Sequence, residues 1–565
     1  MFDYERKPFY LTEEDIIWLE ETYQNMSLPE KIGQLFCPIV VSGDEEELKA
    51  MVKSKHIGGV LYRKGRGKEI QNNHRILQDV SKVPLFIASN LEMGGVGSAQ
   101  EGTYYGQELL VAATDRVEHA YRLGKVSCRE GAAVGINMAF APIVDIDGNF
   151  RNPILNVRTF GADQERVKEM GAVYLKAAKE EGVAAVVKHF PGDGVDERDQ
   201  HLLTSVNSLS CGEWDAVYGD IYQTMIDEGV LAVMAGHIAL PAYEEYYDGK
   251  PCRRAIPATL SANILKRLLR DKLGFQGLII TDATPMVGFC CAEERKKAVP
   301  LAIENGCDMF LFNKDLDEDI MYMTEGYQNG ILTEERLEEA VKRILAAKAA
   351  LKLWRKQENG TLVPGEEALS VLRCEEHDKW AKECADEGVT LVKDTQHLLP
   401  IRPQRHKRIL LEIMGDFPSN EEVCSDFQCK LDREGFQVTV YEKERLGLEG
   451  KLFDTVEEFK EKYDLVIYIG NIETASNKTV SRLNWHTLFG LGNNMPWFVH
   501  EVPTMFISVG NPYHLLDVPM IRTYINGYCN SEYVISAIVR KIMGKSSFKG
   551  KSPVDAFCGR WDTRL

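Results

Sequence analysis

The sequence predicts an α/β protein: an N-terminal (β/α)8 TIM-like barrel followed by a smaller α/β sandwich domain. Three observations carry this. Eight apolar, β-branched or small-residue runs recur up to Asn313, mostly alternating with amphipathic segments. The polar and ionisable residues gather at one end of those runs. After a polar stretch, a second and shorter set of runs begins near Glu375.

The eight runs cover 32–41, 57–62, 84–89, 136–144, 183–189, 231–237, 277–282 and 307–313. Between them, 116–132, 164–181 and 259–273 have helical spacing. The link between the first two runs is short, which predicts an irregular closure there. Segment 333–356 reads as one long helix, with Leu337, Ala340, Val341, Ile344, Leu345 and Leu351 on one face. It closes a barrel domain over 1–356. Polar residues with Gly and Pro make 357–373 a linker. The second domain, 374–565, carries runs at 390–392, 408–413, 437–441, 465–469, 505–509 and 521–525, with helices at 419–434 and 530–543.

At 565 residues the chain exceeds one ordinary domain. A formal charge of −18 argues against nucleic acid and anionic membranes as partners. The charged start of the chain lacks the apolar core of a signal peptide, and no apolar stretch is long enough to span a membrane. The thirteen cysteines are scattered and include no Cys-x-x-Cys pair, which points to free thiols in a reducing, cytoplasmic compartment. No cofactor or metal site is expected. Gly94-Gly95-Val96-Gly97 lacks the spacing of a phosphate cradle. Asn484-Trp485-His486 reads as a surface loop.

The run ends carry the chemistry. Asn90 and Glu92 follow the third, Asp145 the fourth, and Lys188-His189 end the fifth. His237 ends the sixth, Asp282 the seventh and Asn313 the eighth. In a parallel barrel these ends converge on one face, where active sites are built. Lys188-His189-Phe190-Pro191-Gly192-Asp193-Gly194 is followed by Asp199-Gln200-His201. In an extended segment Asp199 and His201 point the same way, and a carboxylate holding an imidazole suits a proton shuttle. Taken singly, Lys188-His189 also fits a polar strand cap, Asp199-Gln200-His201 a solvated turn, Asp282 a helix cap and His237 a buried histidine.

Together these residues resemble glycoside hydrolase family 3, in the branch holding bacterial β-N-acetylglucosaminidases. Lys31-Ile32-Gly33-Gln34-Leu35 is similar to the family's opening. Residues 137–145, Asn152-Pro153 and Arg158-Thr159-Phe160-Gly161 are similar to its middle, and 188–194 with 199–201 to its acid/base loop. Residues 274–282 resemble its nucleophile strand, and 388–393 the start of its second domain. The resemblance implies Asp282 as nucleophile and His201 as general acid/base with Asp199 as partner. It implies Lys188, His189 and Arg158 as sugar-binding residues, with Asn90, Asp145 and His237 near the sugar. The chain departs from the branch in Asp193, where a His is usual, in Gln200 for Ser, and in Asn90 for a carboxylate. The implied reaction is retaining exo-hydrolysis of terminal β-linked N-acetylhexosamine, a small-molecule carbohydrate substrate. An Asp–His pair repels an anionic acceptor less than a carboxylic acid does, so phosphorolysis is an alternative. A silent sugar-binding protein of the same fold is another.

Overall fold

The computed structural model describes residues 3–565 apart from 416–417, 442–453, 473, 486, 489–490 and 493. The chain forms two compact units. The first holds residues 1–105, 120–152 and 163–378; the second holds 106–119, 153–162 and 379–565.

In the first unit, seven strands form one parallel sheet in chain order: Ile39–Val40, Gly59–Tyr62, Phe86–Ser89, Met138–Ala139, Ala184–Phe190, Ala232–Ala235 and Leu278–Thr281. Phe310–Leu311 then pairs in parallel with Phe36–Cys37, and Ile280 bridges to Met309. The ring therefore closes as eight staves. Their apolar runs are buried along almost their whole length, as a sheet covered on both faces requires. The irregular closure lies where the sequence places it. Pro38 has no N–H to give a ladder, and the first run splits around it into Phe36–Cys37 and Ile39–Val40. One half pairs with the last stave and the other with Gly59–Tyr62.

Helices Val117–Ala133 and Gln164–Glu180 lie within a residue or so of their expected bounds. Three elements differ. The first link contains a full helix, Glu45–Lys55, capped by the Asp44 side chain on Glu47 N. The 259–273 segment begins as a short 3₁₀ turn, Ala258–Leu260, and becomes the wide-turn helix Asn263–Lys272. The long helix at 333–356 is two, Glu334–Ala350 and Leu353–Glu358, broken at Lys352, whose φ is +56°. The Lys352 ammonium reaches buried Asp15, which also accepts from Trp354 Nε1 at 2.9 Å, so a tertiary ion pair outweighs helix continuity.

The linker expectation also changes. Gln71 Nε2 donates to the Gly365 carbonyl at 3.0 Å and Arg75 Nη2 to the Pro364 carbonyl at 2.8 Å. The 357–373 segment therefore stays with the first unit, its polar backbone satisfied by a barrel helix.

The second unit has a six-stranded sheet in the order Thr390–Asp394, Thr523–Asn526, Thr504–Ser508, Leu465–Gly470, Arg408–Met414, Gln437–Val440. All pairs are parallel except the first, which is antiparallel. Helices Asn420–Arg433 and Glu532–Ile542 flank the strands in sequence. Asn484 is exposed, Trp485 packs against the core of this unit, and His486 lies outside the described residues. The thirteen cysteines are free thiols, and no described helix is long and apolar enough to cross a membrane.

Candidate active site

The barrel places its ionisable residues at the C-terminal ends of the staves. The fifth stave sets the pattern. Its ladder with Ala232–Ala235 shifts register between Val187 and Phe190, so Lys188 and His189 sit in an irregularity that re-aims side chains. Lys188 is 3% exposed, and its ammonium donates to Glu92 Oε1 at 2.6 Å. A buried ammonium needs such a partner; removing the carboxylate would cost about 3–5 kcal/mol.

His189 is held from behind. Its Nδ1 lies 2.7 Å from Asp145 Oδ2, and its backbone N–H donates to the same carboxylate at 3.1 Å. Asp145 also accepts from Asp193 N at 2.8 Å. Three donors thus converge on the fully buried Asp145 carboxyl. On the far side of the ring, His189 Nε2 lies 4.0 Å from Asp282 Oδ2.

Asp282 follows the seventh stave, its N–H donating to the Ala235 carbonyl at 2.8 Å. Its Oδ1 accepts from Ala283 N at 2.7 Å; the next helix, Val287–Cys290, has Met286 at its N-cap, so Asp282 does not cap it. Burial raises the pKa of this carboxyl. The surrounding imidazoles, His189 foremost, and the Ala283 N–H outweigh burial and hold it below the usual range. Asp282 therefore stands as a carboxylate.

His237 is fully buried, with both ring nitrogens engaged. Nδ1 lies 3.0 Å from Thr259 Oγ1 and Nε2 3.0 Å from the Ala283 carbonyl. Burial lowers its pKa, so the ring is neutral; the Thr259 hydroxyl donates to Nδ1 and Nε2–H donates to the carbonyl. Its ring holds the Asp282–Ala283 turn instead of presenting a nitrogen to a sugar.

Asp199 and His201 meet, by a different route from the extended one. Asp199 Oδ1 accepts from His201 N at 2.9 Å and lies 2.7 Å from His201 Nδ1, while Leu202 N donates to the Asp199 carbonyl. This is an Asx turn closed on its own imidazole. The Asp199 side chain is fully buried and that of His201 is 22% exposed. His201 Nε2 makes no hydrogen bond among the described residues.

The turn is pinned to the segment after Asp282. Val287 N donates to the His201 carbonyl at 3.0 Å and Gly288 N to the Gln200 carbonyl at 3.2 Å. The Gln200 side chain accepts from His237 N at 2.7 Å. A Cβ on Gly288 would lie 2.4 Å from the Gln200 oxygen and 3.0 Å from His237 Cβ. Gly288→Ala is therefore expected to push the Asp199–His201 turn away from Asp282 and lower kcat by about tenfold to a hundredfold. Steady-state kinetics beside a melting curve check this; an unchanged kcat in a folded variant would sink it.

The remaining expected residues divide. Asn90 is exposed, directly after the third stave. Arg158 ends the 3₁₀ turn Asn156–Arg158 in the stretch 153–162, which groups with the second unit, and donates to the Ile154 carbonyl at 3.2 Å. The glycine-rich run is a packing device: a Cβ on Gly95 would strike Glu130, and one on Gly97 the Asn90 carbonyl. Sequence reasoning missed the Glu92 pairing, Gln200, Thr259 and Gly288. The signal available for Glu92 was Lys188 itself, since a lysine inside a buried strand demands a nearby carboxylate.

Residues 27–347 match the glycosyl hydrolase family 3 N-terminal domain. The chain belongs to glycosyl hydrolase family 3. A relative from Cellulomonas fimi, named β-N-acetylglucosaminidase/β-glucosidase, is 45% identical over 572 residues, covering 100% of both chains. Among solved structures, the β-glucoside phosphorylase BglX bound to 2FGlc superposes with a TM-score of 0.94 at 42% identity, covering 98% of this chain and 99% of that one. A family 3 β-N-acetylglucosaminidase from Paenibacillus sp. str. FPU-7 has a TM-score of 0.79 at 22% identity over 95% of this chain and 100% of its own, which attests the shared barrel-and-sandwich fold.

Proposed function

We propose that this family 3 enzyme removes a terminal β-linked gluco-configured sugar, N-acetylglucosamine foremost and glucose as well, with retention of configuration. The observation that carries the reading is the ionised Asp282 beside His189, with the Asp199–His201 pair anchored to the segment that follows it. Asp282 attacks the anomeric carbon while His201 protonates the departing oxygen; His201 then deprotonates the acceptor that resolves the glycosyl-enzyme. Two displacements at one carbon restore the original configuration. Lys188 and His189 line the sugar site, and Asn90 offers an amide where a carboxylate would discriminate hydroxyls more strongly. The double name of the Cellulomonas fimi relative supports both sugars.

A second reading concerns the acceptor. Asp199 is compensated by its own imidazole, so an incoming phosphate meets less repulsion than a free carboxylate would give. The 42% identical neighbour is named a phosphorylase. Turnover of aryl N-acetyl-β-glucosaminide and aryl β-glucoside, with and without inorganic phosphate, tests both readings, with the first product followed by NMR. Hydrolysis gives free β-sugar at a rate indifferent to phosphate; phosphorolysis gives sugar 1-phosphate and acceleration by phosphate. Free α-sugar as first product, or no turnover of either glycoside, would overturn the proposal.

A further inference from the structure

Asp193 stands where the resembling branch usually has a histidine, and the site described above does not use its side chain. It is 2% exposed. The loop that carries it is pressed onto Tyr218: a Cβ on Gly192 would lie 2.2 Å from that ring, and the Tyr218 hydroxyl donates to the Asp193 carbonyl at 2.5 Å. Asp193 Oδ1 accepts from Gly194 N at 2.7 Å and from Asn152 Nδ2 at 3.3 Å. Oδ2 is buried and has no hydrogen-bond partner among the described residues.

Its neighbour Asp145 is in the opposite situation. The two residues touch, since Asp193 N donates to Asp145 Oδ1 at 2.8 Å. Asp145 gathers donors from His189 N, His189 Nδ1 and Asp193 N; the Asp193 carboxyl has one oxygen without a donor among the described residues. The Asp145 carboxylate lies against the Asp193 backbone and acts on the Asp193 carboxyl through its charge; two neighbouring buried carboxyls do not both ionise readily, and the one with more hydrogen-bond donors keeps the charge.

We propose that Asp193 is a positioning residue that holds a proton in the working enzyme and leaves Asp145 to act as the negative partner of His189. This rests on the reading of Asp282 as nucleophile. A second charge beside Asp145 would tighten the hold on His189, and through it on Asp282, which His189 Nε2 faces at 4.0 Å. The groups facing Asp193 favour the neutral state. Asp145 and, behind Tyr218, Asp147 come from the loop after the fourth stave; Asp196 and Asp199 come from its own loop; Tyr218 and Tyr222 come from the packed helix. Among the described residues, the potential cation His189 bears on this group through Asp145. Burial first, then Asp145, pushes the Asp193 carboxyl well above the usual range.

Infrared spectroscopy of the full chain at neutral pH tests this. The native protein should show a carboxylic-acid carbonyl band that shifts in D₂O and is missing in Asp193→Asn, or in Asp193→Ser if the amide does not fold. No such band, or one unaffected by either substitution, overturns the proposal. The pH–rate profile is the second readout, taken on an aryl glycoside acidic enough to need no protonation. Native activity should fall at alkaline pH as Asp193 ionises, and Asp193→Asn should extend the alkaline limb by at least about one pH unit. An unmoved limb counts against the proposal. Asp282→Asn separates the two readings: the band should persist there while turnover is lost, whereas normal turnover would fault the nucleophile and leave the band to be judged alone.

Discussion

Asp282→Asn should lower turnover by about 10³-fold or more while the protein stays folded. The amide keeps the volume and can still contact Ala283 N, so the turn after the seventh stave survives. What disappears is the negative charge that His189 and its neighbours hold in place. Without it there is no glycosyl-enzyme and no counter-charge for the oxocarbenium-like transition state. Asp282→Ala sharpens the test, because a small anion can enter the space vacated. Azide should restore turnover of an activated β-glycoside and give the α-glycosyl azide, one displacement instead of two. Near-native turnover in the Asn variant, or a β-configured azide product, would refute Asp282 as nucleophile.

His201→Ala should cost about 10²–10⁴-fold on glycosides with poor leaving groups and far less on dinitrophenyl glycosides. An acidic phenol departs without a proton, so the loss should shrink as leaving-group acidity rises. Asp199→Ala should follow the same trend, and the double variant should be little worse than either single one, because one Asx turn builds both halves of the pair. Equal losses across leaving groups would remove His201 from the acid role.

The staves were legible because a strand buried on both faces must be an uninterrupted apolar run, and a polar residue marks where it leaves the core. Four strands of the second sheet, Arg408–Met414, Leu465–Gly470, Thr504–Ser508 and Thr523–Asn526, were legible on the same ground; the edge strands Thr390–Asp394 and Gln437–Val440 are only partly buried and were read from their β-branched residues. Helix Glu45–Lys55 was not, since its buried side is only Leu48 and Val52 among charged neighbours. The break at Lys352 depends on Asp15, 337 residues away, which no local pattern encodes. The site divides likewise. Asp199 and His201 announced themselves by spacing, although their contact is a turn and not a strand. Lys188 with Glu92, and Asp193 with Asp145, depend on which loop tips the closed barrel brings together, 96 and 48 residues apart.

Two backbone hydrogen bonds, Val287 to His201 and Gly288 to Gln200, join the turn carrying the proton donor to the segment just past Asp282. For enzyme engineering this makes one cassette of two loops. A loop graft that brings in a foreign 199–204 stretch without its matching 283–291 stretch will misset the donor relative to the anomeric carbon, however well each piece folds. Recombination libraries should therefore exchange the pair together. Active chimeras should be confined to those that inherit both stretches from one parent.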